Sequence, residues 1–190
     1  MTPLFNWKTT ALVVIDLQKW IQGNQYAPHS AEQVVARAAE LVAAFHTHNA
    51  FVALVHVSTA DGQDLLHPML DQEAPRLNFV EGWDEIVPAL GANTTDHRVT
   101  KKQWGAFYGT DLDLQLRRRG ITTIVLCGIS SGLGVDTTAR EAFQQSYHVI
   151  FAIDAITAFT QAEHEHVQNF IFPRIGRLRT TRDIVDNPHE

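Results

Sequence analysis

The sequence predicts a three-layer α/β/α architecture on a mostly parallel sheet of about six strands, and three observations predict it. Short apolar runs rich in β-branched residues recur at Thr10 to Ile15 (TALVVI), Phe51 to Val57 (FVALVHV), Ile121 to Leu126 and Tyr147 to Ile153. They are continuous rather than alternating, as expected of strands covered on both faces. Helix-like segments separate them, so the connections are right-handed crossovers with helices on both sides of the sheet. The third observation is the stretch Gly120 to Ala142, which reads strand, glycine-rich turn, helix. In open α/β sheets such a turn sits at the carboxyl end of a strand, where the first backbone N–H groups of the helix are free to hold a ligand oxygen.

A chain of 190 residues, 45% hydrophobic and 19% charged, suits one domain (1–190) that buries roughly 70% of its unfolded surface. Fifteen Lys and Arg against 21 Asp and Glu leave a formal charge of −6, which gives no support to nucleic-acid binding. The one short basic cluster, Arg117 to Arg119, precedes Gly120 at an expected helix end, where cations complement the macrodipole. A single cysteine, Cys127, rules out an internal disulfide and fits a reducing compartment. The first residues lack a signal-peptide pattern, and no apolar run approaches the ~18 residues of a membrane span. The expectation is a cytoplasmic protein without membrane contact.

Taken in order, the first strand ends in Asp16, a carboxylate that is costly after a buried run unless it is hydrogen-bonded or functional. Gln18 and Trp20 follow in the same loop. Ser30 and Gln33 have capping-box spacing for a helix from Ala31 to His48 with apolar residues at helical intervals. His56, in the second strand, reads as a satisfied core histidine. From Ser58 to Asp96 the pattern dissolves among Pro68, Pro75, Pro88 and three glycines, with Phe79 and Trp83 in the same stretch; a loop of this length is expected to cover the site. His97 to Thr100 is a short third strand leading into Lys101 and Lys102. Successive side chains alternate faces, so one of the two lysines points inward and the other is solvated. Thr110 and Asp113 have cap spacing for a helix closing at Gly120. Trp104, Phe107 and Tyr108 suit a small-molecule pocket, core or oligomer contact equally well. The fifth strand ends in Asp154, a final helix from Ala162 to Ile175 is interrupted near Pro173, Arg177 to Thr180 is a candidate last strand, and Asp186 to Glu190 reads as a frayed tail.

Several chemistries are weighed on these residues. Gly128 to Gly132 matches the G-x-S-x-G elbow of serine hydrolases, with Ser130 as nucleophile and Asp154 and His164 or His166 following in the required chain order. Against it stand the small size of the chain and the lack of an upstream oxyanion-type motif. No metal site is expected: His164 and His166, two apart on a helix, diverge, and no H-E-x-x-H or cysteine pair exists. The glycine spacing fails the dinucleotide fingerprint, so no organic cofactor is expected either.

Three features converge better: Asp16 after the first strand, Lys101 after the third, and the glycine turn after the fourth. Around them, TALVVIDLQ, VTKKQWGAFYGTDL, IVLCGISSGLGVDTTAREA and the AIDA of residues 152–155 resemble the isochorismatase-like hydrolases over nearly the whole chain. The resemblance implies a Rossmann-like fold, a small-molecule substrate, a homo-oligomer, and catalytic roles for Asp16 and Lys101. It also implies a cis peptide joining Ile129 to Ser130. Cysteine-dependent members place their nucleophile where this chain has Gly134, and Cys127, seven positions earlier on the strand, cannot replace it. True isochorismatases resemble this chain in having glycine there, which implies an aspartate acting as general acid on a vinyl ether beside a lysine. Gln18, Trp20, Trp104, Phe107, Ser130, Ser131 and Gly134 are expected around the substrate by position. A noncatalytic binding protein and a Ser130 hydrolase remain the alternatives.

Overall fold

The computed structural model describes residues 3–71 and 81–188. Its sheet comprises β1 (Thr10–Ile15), β2 (Phe51–Val57), β3 (His97–Lys101), β4 (Thr123–Ile129), β5 (His148–Thr157) and β6 (Arg177–Arg179), in the spatial order 3-2-1-4-5-6 with parallel neighbours throughout. The chain winds outward from β1 through β2 to β3, then returns to the other side of β1 and winds outward again. That reversal leaves a crevice above the carboxyl ends of β1 and β4, where α/β sheets of this order hold ligands. Register sets Ile15 beside both Val55 and Gly128, so β1 ends level with its two neighbours.

Every residue of β1 is buried, which is why its sequence does not alternate. Leu12 and Val14 face one core layer, built with Val34, Ala38, Leu41, Val42 and Phe45 of α1 (Ala31–Thr47). Ala11, Val13 and Ile15 face the other, with Leu112 and Leu116 of α2 (Leu112–Arg118) and Ala139 and Ala142 of α3 (Asp136–Gln144). Two covered faces make the three layers. The capping box closes reciprocally: Ser30 Oγ accepts the Gln33 N–H at 3.3 Å and Gln33 Oε1 accepts the Ser30 N–H at 2.9 Å. Of the basic cluster, Arg117 pairs with Asp113 at 3.2 Å and lies over the Tyr147 ring, while Arg119 lies over Phe51.

The departures from the expected elements have physical causes. β5 does not stop at Asp154 but runs on to Thr157, because the strand bulges: Leu126 pairs Phe151, whereas Gly128, two residues on, pairs Ile156. Within the bulge, Asp154 Oδ1 accepts the backbone N–H of Thr181 at 2.7 Å and its hydroxyl at 2.9 Å. This carboxylate therefore serves a helix that sequence periodicity is too short to reveal, α6 (Thr181–Val185), itself capped by a Thr180–Asp183 box. The expected helix over 162–175 is α4 (Gln161–His166), a π turn over Val167–Ile171 and α5 (Phe172–Ile175). Pro173 lies in the first turn of α5, where its missing N–H is no loss. α2 is capped at Asp111 rather than Thr110, although the Thr110 hydroxyl still accepts the Leu112 N–H at 3.2 Å. The tail is pinned as far as Asn187, which is buried and bonds Leu4 N–H through Oδ1 (2.7 Å) and the Phe5 carbonyl through Nδ2 (3.0 Å). Pro75 and Phe79 lie outside the described residues. No described helix is long and apolar enough to cross a membrane.

Gly128 is where β4 presses closest on β1. Its φ is +120°, and a Cβ there would run into the carbonyl of Ile15, only 2.8 Å from the carbonyl carbon. Backbone cannot swing aside as a side-chain tip can. Gly128→Ala is therefore expected to lower unfolding free energy by at least about 3 kcal/mol in urea titration.

Candidate active site

The crevice is furnished from three strands. Asp16 follows β1 with φ +54°, a left-handed conformation that is sparsely populated by any residue with a side chain. Its N–H is held by the Val55 carbonyl at 3.0 Å, and its own carbonyl accepts the Gln18 N–H at 2.9 Å. Lys101, paired in register with Val57, ends β3 and reaches across β2, a span of roughly 10 Å at ordinary strand spacing. Its ammonium meets Asp16 Oδ2 at 2.8 Å and donates to the Trp104 carbonyl at 2.6 Å. Lys101 is 1% exposed. Lys102 turns the other way, to Asp64 at 2.7 Å and to the Ser58 carbonyl, as alternation along an extended segment requires.

The other carboxylate oxygen, Asp16 Oδ1, is buried with no hydrogen-bond partner. An unpaired buried carboxylate oxygen costs free energy that a ligand donor would recover. Burial pushes the Asp16 carboxyl above its ordinary value; the charge and hydrogen bond of Lys101 oppose this, as does the smaller effect of His56. Desolvation outweighs the ammonium, so the neutral acid is favoured beyond the range of an exposed aspartate.

The third side is the turn after β4. The peptide between Ile129 and Ser130 is cis. A π turn over Ser131–Val135 then leads into α3. Gly134 sits in that turn directly over the pair: a Cβ there would lie 3.2 Å from Asp16 Oδ2, 3.2 Å from Lys101 Nζ and 3.0 Å from Ile15 Cγ2. Glycine here lets the turn lie close against both groups, where even a methyl would be crowded.

The remaining expected site residues separate into wall and frame. Gln18 is fully buried and its amide is spent on the scaffold: Nε2 donates to the Val57 and Asp84 carbonyls (2.8 and 3.0 Å), and Oε1 accepts the Val57 N–H at 2.9 Å. Trp20 packs against the α1-side core with its indole N–H 3.4 Å from Gln18 Oε1. Phe107 is buried in the α3-side core against Tyr147, and Trp104 is 57% exposed while its carbonyl holds Lys101. Ser130 is buried at the cis bond and its carbonyl accepts the N–H groups of Leu133 and Val135. Ser131, not Ser130, is the serine that meets a histidine: its hydroxyl lies 2.8 Å from His164 Nδ1, and His164 Nε2 lies 2.8 Å from Gln168 Oε1. Ser131 is fully enclosed and desolvation lowers the His164 pKa. Asp154, the acid the elbow reading needs, is engaged with α6.

His56 donates Nδ1–H to the Asp84 carbonyl at 3.2 Å, and its Nε2 lies 2.8 Å from the Thr100 hydroxyl, which makes it a brace across β2 and β3. Cys127 faces the α1-side core with Val125 and Ile129, across the sheet from Gly134, and burial raises its thiol pKa. Among the described residues no cluster of His, Cys, Asp and Glu could hold a metal ion. The main-chain oxygen of Trp104 is the one site group that sequence reasoning missed, since a backbone carbonyl leaves no trace in residue identity.

A parallel α/β sheet in the order 3-2-1-4-5-6, with a buried acid–ammonium pair at its switch point, places the chain in the doubly wound class. The chain belongs to the isochorismatase family, whose Isochorismatase domain model matches residues 10–183. It is 50% identical over 183 residues to the uncharacterized isochorismatase family protein YwoC of Bacillus subtilis (strain 168), covering 95% of each chain. It is 47% identical over 182 residues to the uncharacterized isochorismatase family protein YecD of Escherichia coli O157:H7, covering 95% of this chain and 97% of that one. Among solved structures it is similar to an isochorismatase family protein from Burkholderia thailandensis, with a TM-score of 0.92, 42% identity and 97% of each chain covered.

Because Gln18 ties three backbone groups of β2 and the 82–86 segment from a dry position, Gln18→Leu strands those groups without partners. We expect a loss of about 2–4 kcal/mol in unfolding free energy, read by chemical denaturation.

Proposed function

We propose that the protein is a cysteine-independent hydrolase of a small molecule bearing a vinyl ether or a related group, with Asp16 as general acid and Lys101 as its electrostatic partner. The observation that carries this reading is the pairing itself: one carboxylate oxygen on the ammonium at 2.8 Å with Gly134 against both, and the other carboxylate oxygen buried and unpartnered. A substrate brought to this pair has a proton donor within reach and no thiol in the way. The only cysteine faces the opposite layer with its thiol pKa raised, which argues against thiolate chemistry.

The steps follow from the charges. Asp16 gives its proton to the terminal vinyl carbon, and the electron pair of the double bond forms the new C–H bond. The ether oxygen stabilises the cation left on the adjacent carbon, while the new carboxylate is stabilised by the Lys101 ammonium. Water adds to that carbon and returns a proton to Asp16. The hemiketal then breaks its C–O bond to release a ketone and an alcohol, so one water is consumed. The raised Asp16 pKa suits this use, because a general acid must hold its proton until the substrate arrives. Among the expected pocket residues, Trp104 and Ser130 are offered as walls, with Gly134 as the floor.

A panel of vinyl ethers, esters and amides tests the assignment. Turnover of a vinyl ether is expected to fall roughly 10²–10⁴-fold in Asp16→Asn, and also to fall in Lys101→Ala. If neither substitution changes the activity found, Asp16 and Lys101 are not the reacting groups; ligand binding that survives Asp16→Asn with no turnover anywhere on the panel would mark a noncatalytic binding protein. The pH profile gives the sign. The rate is expected to be highest while Asp16 is protonated and to fall as pH rises through its elevated pKa; a rate that rises there would make Asp16 a base. Gly134→Ala, which needs no positive φ, is expected to stay folded in circular dichroism yet lose turnover, because its methyl crowds Asp16 Oδ2 and Lys101 Nζ, each 3.2 Å away.

A further inference from the structure

The second anchor of the Lys101 ammonium is a backbone carbonyl on an irregular segment, and something must hold that segment still. Residues 103–108 carry the Trp104 carbonyl, 2.6 Å from Lys101 Nζ. They lean on one face of α3. The Ala106 N–H donates to Thr138 Oγ1 at 3.1 Å, and the Thr138 hydroxyl donates in turn to the Gly134 carbonyl at 2.6 Å. One turn further on, Glu141 Oε2 accepts the Phe107 N–H at 3.2 Å. A Cβ on Gly105 would overlap the Glu141 carboxylate, so glycine at 105 is what admits that carboxylate to the loop. Thr138 is fully buried.

A hydroxyl has one proton to give and lone pairs to receive. Thr138 uses both, and a single oxygen atom thereby ties the turn that carries Gly134 to the loop that carries the Trp104 carbonyl. The two structures that border Asp16 and Lys101 are held at a fixed separation through it.

We propose that Thr138, seconded by Glu141, is a positioning residue that sets the Trp104 carbonyl against Lys101 Nζ and so fixes where the ammonium meets Asp16. The inference rests on the reading of Asp16 and Lys101 as the reacting pair. Thr138 and Glu141 act on the pair through the backbone they hold: the loop N–H groups of Ala106 and Phe107, and the Gly134 carbonyl.

The test needs no substrate, so its failure is distinct from a failure to find turnover. Lysine labelled with 13C at Cε is titrated by NMR in the intact chain, the Lys101 signal being assigned by its loss in Lys101→Arg. The titratable group that faces the ammonium is Asp16; His56 acts on Asp16 from beyond it. Thr138→Val keeps the shape and removes the bridge. With the carbonyl anchor loosened in a dry site, Lys101 is expected to release its proton about tenfold more readily, a titration shifted down by about one pH unit, and Thr138→Ser is expected to restore it. Glu141→Ala is expected to shift the titration the same way by a smaller amount. Glu141→Gln, which keeps an acceptor and removes the charge, separates the lost hydrogen bond from the lost charge. A Lys101 titration unmoved in a folded Thr138→Val protein would overturn the proposal. Should that variant fail to fold, a Glu141→Ala titration matching that of Glu141→Gln overturns it equally. With a substrate in hand, kcat is expected to fall in Thr138→Val with KM little changed.

Discussion

The contact between Asp16 and Lys101 constrains most of what surrounds it. A carboxyl group and an ammonium are held out of water at 2.8 Å, an arrangement in which the cost of desolvating either charge competes with their attraction unless further hydrogen bonds compensate. The ammonium has such a bond, to the Trp104 carbonyl; the carboxylate lacks one on Oδ1. The imbalance has a direction. Lysine is secured on two sides, while the acid is left with one oxygen that no hydrogen bond satisfies.

Strand order explains how the two groups can meet at all. Asp16 follows the central strand and Lys101 ends an edge strand with β2 between them, so the lysine must lie across the carboxyl ends of the sheet. β2 permits this because its own end is held down: Gln18 and His56 bind the backbone around Val57 and Asp84 and keep that segment from filling the crevice. Residues that look like ligand contacts by position are, in this respect, the frame that keeps the crevice open.

Much of this was legible in the chain, and unevenly so for physical reasons. Continuous β-branched runs announce doubly covered strands, and β1 and β2 fall at the expected residues. Alternation predicts that one of two adjacent lysines is buried, and it is Lys101. A capping box marks the start of α1 because it is a local pairing of side chain and backbone. What stayed hidden was either short or made by backbone. α6 has five residues, too few for periodicity to register. The bulge in β5 hid Asp154 inside a strand, since a polar residue in an apolar run reads as its end. The Trp104 carbonyl is invisible to any reading of side chains. Likewise, the pairing of Ser131 rather than Ser130 with His164 follows from the turn geometry, which a five-letter motif does not encode.

That turn also limits how the chain can vary. Between Ser131 and Val135 the backbone is wound as a π turn, wider than an α-helix, before it narrows into α3. Removing or adding one residue there would rotate everything downstream by about 100° about the helix axis. Thr138 and Glu141 would then face away from the loop they now hold, while Ala139 and Ala142 would leave the core. Length within these five positions is thus tied to the phase of a whole helix, and this segment should tolerate exchanges of residue type far more readily than any insertion or deletion.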